Sequence, residues 1–209
     1  EVLPPPCFDW SCNGYTSSVQ FIGDNENVVA WINGTRKSEN FKMDGFISQT
    51  LDKICHAFCE GEMRPRTRAA PWATHVRRKF NKMADLLATC AIKCKNNYVF
   101  VNEFKPCGRA RFIQAFFDGG FRGDVAGAGV FLRVAWFMNG SQPEWHSVFR
   151  ASFLIDVEGH SNSACAELFS FQMAALAVMS FLENNCVLME GDMVAKDVWP
   201  ELKLYDGLT

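Results

Sequence analysis

Four carboxylates in this chain occupy positions from which side chains could bind metal ions. Asp118 lies at the end of an apolar segment, just before a glycine-rich turn, and Asp24 follows a shorter apolar run. Glu167 and Asp85 each lie close to the start of a predicted helix. Carboxylates placed together are unfavourable unless cations neutralise them, and Mg²⁺ prefers such oxygen ligands. Two ions about 4 Å apart stabilise both the attacking and the leaving oxygen of a phosphodiester displacement, so the set suits that chemistry.

Each of these acids also has a purely structural interpretation. Asp24 could cap the helix that follows it, and Asp85 and Glu167 could stabilise a helix start through its macrodipole. A second Gly-Asp dipeptide ends a similar segment near the C-terminus, which makes Asp192 the alternative to Asp24. We favour Asp24 because a better helix pattern follows it and because the same part of the chain carries Asp85.

The apolar pattern predicts the elements that would position the acids. Strands are predicted at 19–22, 72–77, 145–155 and 187–192, and a strand hairpin is predicted at 112–137. Helices are predicted at 25–32, at 43–58 and from 81 or 82 to about 91, and another helix is predicted with Ser161 or Ser163 as its N-cap. Residues 1–17 are rich in Pro, Ser, Thr and Asn and are predicted to form an irregular arm, and 199–209 a C-terminal tail. Residues 95–111 are interpreted as a connector.

Four of these segments resemble parts of the ribonuclease H fold, in the form found in retroelement-derived proteins. Residues 118–130 resemble its first hairpin, and 163–168 resemble its first helix, which supplies the second acid. Residues 22–25 resemble its fourth strand with the third acid. Residues 75–88 resemble its last strand and helix, where the fourth acid lies, and this match is the most specific.

The order of the segments differs from the order in that family. The family begins with the hairpin, whereas here the second half of the family order comes first. The resemblance therefore implies an α/β protein with a ribonuclease H-like, mixed five-stranded sheet flanked by helices in circularly permuted order. The domain would cover 18–198, with 18–94 as the family's C-terminal half, 95–111 as the linker and 112–198 as the N-terminal half. An extended linker of that length spans roughly 50 Å, so it can join the two halves.

The resemblance implies Mg²⁺-dependent cleavage of the RNA strand of RNA–DNA hybrids, or action on another duplex nucleic acid. Two Mg²⁺ ions are expected, with Mn²⁺ as an alternative. The implied catalytic and metal-binding residues are Asp118, Glu167, Asp24 and Asp85, the nucleic-acid contacts are Arg77, Arg78, Arg122 and Asn81, and His75 is an auxiliary candidate. The alternative is a catalytically silent subunit that kept the fold inside a larger, organellar or other assembly. Binding of a duplex without cleavage is a third, weaker hypothesis.

Charge and cysteine content narrow the class of protein. The net charge of −2 and the pI of about 6.1 argue against strong non-specific binding to nucleic acid. Seven basic residues between 64 and 82 nevertheless form a local cluster that is either a phosphate-binding patch or a solvated face. The nine cysteines lack paired zinc-ligand spacing, which favours reduced thiols over a zinc site or a disulfide framework. No secretory signal and no membrane span are expected, so the cytosol, the nucleus or an organellar matrix is the predicted location.

Overall fold

The computed structural model describes residues 8–12, 15–38, 44–45, 47–49, 52, 63–65, 73–102, 112–136, 144–155 and 162–187. Over these residues there are eight strands: β1 (Phe8–Cys12), β2 (Tyr15–Gly23), β3 (Met63–Pro65), β4 (Ala73–His75), β5 (Tyr98–Val101), β6 (Phe112–Arg122), β7 (Val125–Trp136) and β8 (Glu144–Ile155). The helices are α1 (Glu26–Ile32), α2 (Lys82–Cys94) and α3 (Ser163–Val187), and a 3₁₀ turn at Arg78–Phe80 precedes α2. Helical residues at 44–45, 47–49 and 52 fall within the predicted helix 43–58.

The strands form one mixed sheet, which confirms the α/β class. Their order is β3-β1-β2-β6-β7-β8-β5, and β4 pairs with β2 beside this path. β2 is parallel to both β6 and β4, and the other pairs are antiparallel. The expectation of five strands was too low for the described residues, because β1, β3 and β5 extend the sheet.

Two of these additional strands lie where the sequence predicted irregular chain. β1 and the start of β2 fall within the predicted arm 1–17, and β5 falls within the predicted connector 95–111. β1 pairs with its neighbour β2 and with the distant β3, and β5 pairs with the distant β8. A partner distant in sequence leaves no local signal. Residues 1–7, the predicted strand 187–192 beyond its first residue, Asp192 and the tail 199–209 lie outside the described residues.

Helices cover both faces of the sheet. α1 and α3 pack with one face of β6, where Ile113, Ala115 and Phe117 enter the main core. The ring of Phe117 lies 5.3 Å from that of Phe171 on α3. α2 covers the opposite face, where Phe116 packs with Ala84 of α2. Coverage on both faces explains why β6 is buried continuously from 113 to 119 and reads as one apolar run.

The first strand of the hairpin is longer than the sequence predicted. Asp118 was expected at its end, but β6 continues through Gly119 and Gly120, which pair with Ala128 and Gly127 of β7, to Arg122. The turn that joins the two strands contains Gly123, whose φ of 64° suits glycine. Asp118 is therefore held on both sides by strand pairing rather than placed at a free strand end.

The start of α3 was expected after Ser161 or Ser163, and the helix begins at Ser163. The residue that caps it is Asn162, whose Oδ1 accepts the backbone N–H of Cys165 at 2.9 Å.

α3 is also the one helix of the described residues that is long and apolar enough to cross a membrane, with a mean hydropathy of 1.6 over Ser163–Leu182. That window is 61% buried inside the protein, and the core helix of a soluble protein meets the same criterion.

Candidate metal centre

Three acids from three different elements meet at one edge of the sheet. Asp24 directly follows β2, Asp118 lies in β6, and Glu167 lies in the first turns of α3. One carboxylate oxygen from each lies within 4.8 Å of the other two. Asp118 and Glu167 are only 5% and 4% exposed, and Asp24 is half-buried. The structure thus brings together three of the four acids singled out in the sequence.

The strand register places the first two acids side by side. β2 and β6 are parallel neighbours that pair Ile22 with Phe116. Two further residues along each strand bring Asp24 level with Asp118. Because the two strands run in the same direction, this register brings both carboxylates to one place.

Close packing of α3 on β6 delivers the third acid. A Cβ atom at Gly119 would overlap the backbone of Ala166 and Glu167, so only glycine lets the helix approach this closely. The N–H of Asp118 donates to Ser170 Oγ at 3.0 Å, and Ser170 Oγ donates to the carbonyl of Gly129 at 2.8 Å. This buried serine ties α3 to both strands of the hairpin, and nothing in the sequence pattern singled it out.

Burial and mutual repulsion make the acids difficult to ionise. The pKa of Asp118 is raised to about 9, mainly by burial and then by the charge of Glu167 and the hydrogen bond and charge of Asp24. The pKa of Glu167 is raised to about 8, mainly by burial and then by the charge of Asp24. The backbone N–H of Gly119 and the side chain of Asn25 donate to Glu167 and oppose that shift. Because a dication favours the ionised carboxylates, it would reverse the balance.

Glu167 also carries an unpaired polar atom. Its Oε2 is buried and has no hydrogen-bond partner within the part of the chain that the structure describes. A buried acceptor without a partner costs about 1–3 kcal/mol. A cation among the three carboxylates would satisfy it, and an all-oxygen donor set is the kind that Mg²⁺ prefers. The residues present therefore fit a hard divalent cation.

Asp85, the fourth predicted ligand, lies beside this cluster rather than within it. Its carboxylate Oδ1 accepts a hydrogen bond from the guanidinium of Arg78. Asp85 and Asp118 line the same small cleft of about 150 Å³. A larger cleft of about 480 Å³ contains the other three acids, and Arg78 lines both.

The residues predicted to contact nucleic acid divide into two groups. Arg77 and Arg78 are exposed in the segment after β4, and Arg122 is exposed at the end of β6 in the small cleft. Asn81 is instead 1% exposed, and its amide donates to the carbonyl of Phe117 at 2.9 Å. Its side chain links the start of α2 to β6, so that Asn81 differs from the three arginines in being buried.

His75 lies next to the cluster without entering it. It is exposed at the end of β4, and its Nε2 is 3.2 Å from the backbone oxygen of Asp24.

Asn25 was missed as a site residue although its position in Gly-Asp-Asn is typical of an N-cap. Its Oδ1 accepts the N–H of Val28 at 3.3 Å, while its side chain also hydrogen-bonds Glu167. One side chain thus caps α1 and orients an acid.

No family model matches this chain, and neither a curated protein nor a solved structure matches it. What can be stated of its class comes from fold and site alone. The described residues form an α/β protein with a mixed sheet, and three acids at the edge of that sheet could hold a metal ion.

Proposed function

We propose that this chain is a ribonuclease H-like nuclease of permuted order that cleaves the RNA strand of RNA–DNA hybrids with Mg²⁺. The observation that carries the proposal is the convergence of Asp24, Asp118 and Glu167 from two parallel strands and a helix start. The unpaired Oε2 of Glu167 is a second sign of a missing cationic partner. Within the described residues, none of these three acids forms a salt bridge.

The order of the sheet supports the permuted fold. The path β8-β7-β6-β2, with β4 on the far side of β2, contains the hairpin, the third strand and the two parallel strands that the resemblance implies. α3 follows β8, and α2 follows β4, as expected for the helices that carry the second and fourth acids. β2 and β4 precede the hairpin along the chain, which is the feature that permutation explains.

The acidic and the basic side chains would have different roles at the site. Asp24, Asp118 and Glu167 would hold the cation, which when bound supplies positive charge against the phosphate in the displacement. Asp118 and Glu167 must lose their protons on binding it, since their pKa values lie at about 9 and about 8. The exposed guanidinium groups of Arg77, Arg78 and Arg122 would attract and orient the phosphodiester backbone.

Cleavage of an end-labelled RNA–DNA hybrid tests the proposal. We expect the RNA strand to be cut in Mg²⁺ and to stay intact in EDTA. Asp118→Asn should lower the rate by about 100-fold or more, because it removes a charged metal ligand. Asp124→Asn makes the same chemical change at an exposed acid in the hairpin turn and should leave the rate unchanged. Absence of Mg²⁺-dependent cleavage, or full activity in Asp118→Asn, would contradict the proposal.

A silent structural subunit is the second candidate, and β5 favours it. Tyr98, Val99 and Phe100 are 52%, 42% and 42% exposed in that strand, an apolar surface suited to a protein partner. This function predicts a chain that binds a cation but cuts neither hybrids nor other duplexes. The same cleavage assay therefore separates the two candidates.

A further inference from the structure

Arg78 occupies the boundary between the two clefts of the site. It begins the 3₁₀ turn after β4, and its side chain is 75% exposed. One cleft contains the three clustered acids, and the other contains Asp85, while Asp118 lines both. Arg78 is thus placed between Asp85 and the cluster that this acid was predicted to join.

The charge of Arg78 acts on all four acids. Its guanidinium hydrogen-bonds Asp85, and this bond and the charge of Asp85 raise the pKa of Arg78. Asp118 and Asp24 raise it further through their charges, and Arg78 in turn lowers the pKa of Glu167. The side chain therefore belongs electrostatically to the metal centre as well as to Asp85.

We propose that Arg78 holds Asp85 out of the metal centre, so that the free protein binds a single divalent cation at Asp24, Asp118 and Glu167. A second cation binds only when Arg78 releases Asp85. This inference rests on the proposed function, since it concerns the ligands of the same site.

Two physical effects of the ion pair oppose a second ion. A second ion between Asp118 and Asp85 would need carboxylate oxygens from both, and the guanidinium already occupies Oδ1 of Asp85. The positive charge of Arg78 also repels an incoming dication. Both effects disappear when the guanidinium moves away.

The ion pair is weak enough to be reversible. Exposed ion pairs contribute little to stability because solvent screens them, and Arg78 is mostly exposed. Arginine also forms strong two-pronged hydrogen bonds with phosphate oxygens. The phosphodiester of a bound substrate can therefore compete with Asp85 for Arg78, so that arrival of the substrate opens the place of the second ion.

Mn²⁺ titration of the free protein, followed by electron paramagnetic resonance and calorimetry, tests this inference. We expect one ion per chain in the wild type and a second ion in Arg78→Gln, bound at least about fivefold more tightly than any second ion in the wild type. The double variant Arg78→Gln/Asp85→Asn should return to one ion. Lys79→Gln removes one positive charge from the neighbouring exposed residue of the same 3₁₀ turn and should stay at one ion.

The possible outcomes separate this inference from the proposed function. Two ions in the wild type, or one ion in a folded Arg78→Gln protein, would overturn the role of Arg78 while leaving a metal centre in place. A second ion that persists in the double variant would show that Asp85 is not its ligand, and would also overturn the inference. No bound ion in the wild type would instead overturn the metal centre on which the proposed function depends. Circular dichroism melts of each variant verify that the protein is folded.

Discussion

Asp118 and Glu167 are two buried carboxyl groups held within ligand distance of each other and of Asp24. Pairing within the sheet and packing of α3 fix their positions, so the molecule cannot relieve their repulsion by moving them apart. In the absence of a cation, protonation is the way in which the site can lower this energy. The same two residues should therefore make the stability of the protein depend on pH and on metal.

We expect the stability of the metal-free protein to fall as the pH rises from about 4 to about 9. Unfolded Asp and Glu titrate near pH 4, whereas in the folded state the pKa values are about 9 for Asp118 and about 8 for Glu167. Between these limits the folded state binds more protons than the unfolded state, so raising the pH favours unfolding. Thermal melts in EDTA at a series of pH values measure the effect.

Asp118→Asn should remove much of this pH dependence, since its amide does not ionise, and Asp124→Asn should retain it. Adding Mg²⁺ at pH 8.5 should raise the melting temperature of the wild type and have little effect on Asp118→Asn. If the stability of the wild-type protein followed the same pH profile as that of Asp118→Asn, the pKa of Asp118 would not be raised in the folded state.

The sequence singled out the three acids that the structure brings together, but it did not indicate the side chains whose role depends on packing. Asp24 and Asp118 stood out because each carboxylate follows or interrupts an apolar run, and Glu167 stood out through the resemblance of its helix start to the ribonuclease H fold. Asn81 looked equally polar, but α2 turns it inward against β6. Ser170 lies within an apolar helix, and its hydrogen bonds to Asp118 and Gly129 are made only after the helix packs on the hairpin.

At the scale of elements, the close contact between α3 and β6 determines whether the site exists. The backbone of Glu167 lies where a side chain at position 119 would be. Gly119→Ala should therefore push the first turn of α3 away, lower the stability by about 1–3 kcal/mol through overpacking, and displace Glu167 from the cluster. We expect a lower melting temperature together with weaker Mn²⁺ binding.

Gly45→Ala is the matched control for that substitution, because a Cβ at position 45 meets open space. It should leave Mn²⁺ binding close to that of the wild type and should not lower the melting temperature, since Ala favours the helical conformation of residue 45 more than Gly does. A Gly119→Ala protein with unchanged Mn²⁺ affinity would mean that Glu167 reaches the ion from a different helix position, or does not bind it.

Some helices and strands are encoded by their own residues, whereas others form only when they pair with a distant strand. The hairpin and α3 could be predicted because long apolar runs and a short turn encode them directly. β1 and β5 could not, because each is a short strand that also depends on a partner far along the chain, β3 for β1 and β8 for β5. α/β class and the central strand order follow from the first kind of element, and the width of the sheet follows from the second.

At the scale of the whole molecule, chain order and spatial order are separate properties. β2 and β6 are hydrogen-bonded neighbours although α1, β4, α2 and β5 lie between them in sequence. The site depends on this pairing and on α3, and none of these contacts requires a particular connection between β5 and β6. A chain opened there should keep the metal centre.

We therefore expect a rearranged chain, opened between Arg111 and Phe112 and joined from Thr209 to Glu1 by a long Gly/Ser linker, to fold and to bind Mn²⁺. Every strand pair survives the rearrangement, and loop-closure entropy changes only logarithmically with loop length, so the stability should change by about 1 kcal/mol. Melting curves and Mn²⁺ titration, compared with the natural order, provide the measurement. A chain of identical composition opened between Val130 and Phe131 cuts β7 within the core and should fail to melt cooperatively. If the chain opened at Arg111 also fails to melt cooperatively, the segment before β6 contributes to the fold and is more than a connection between its two halves.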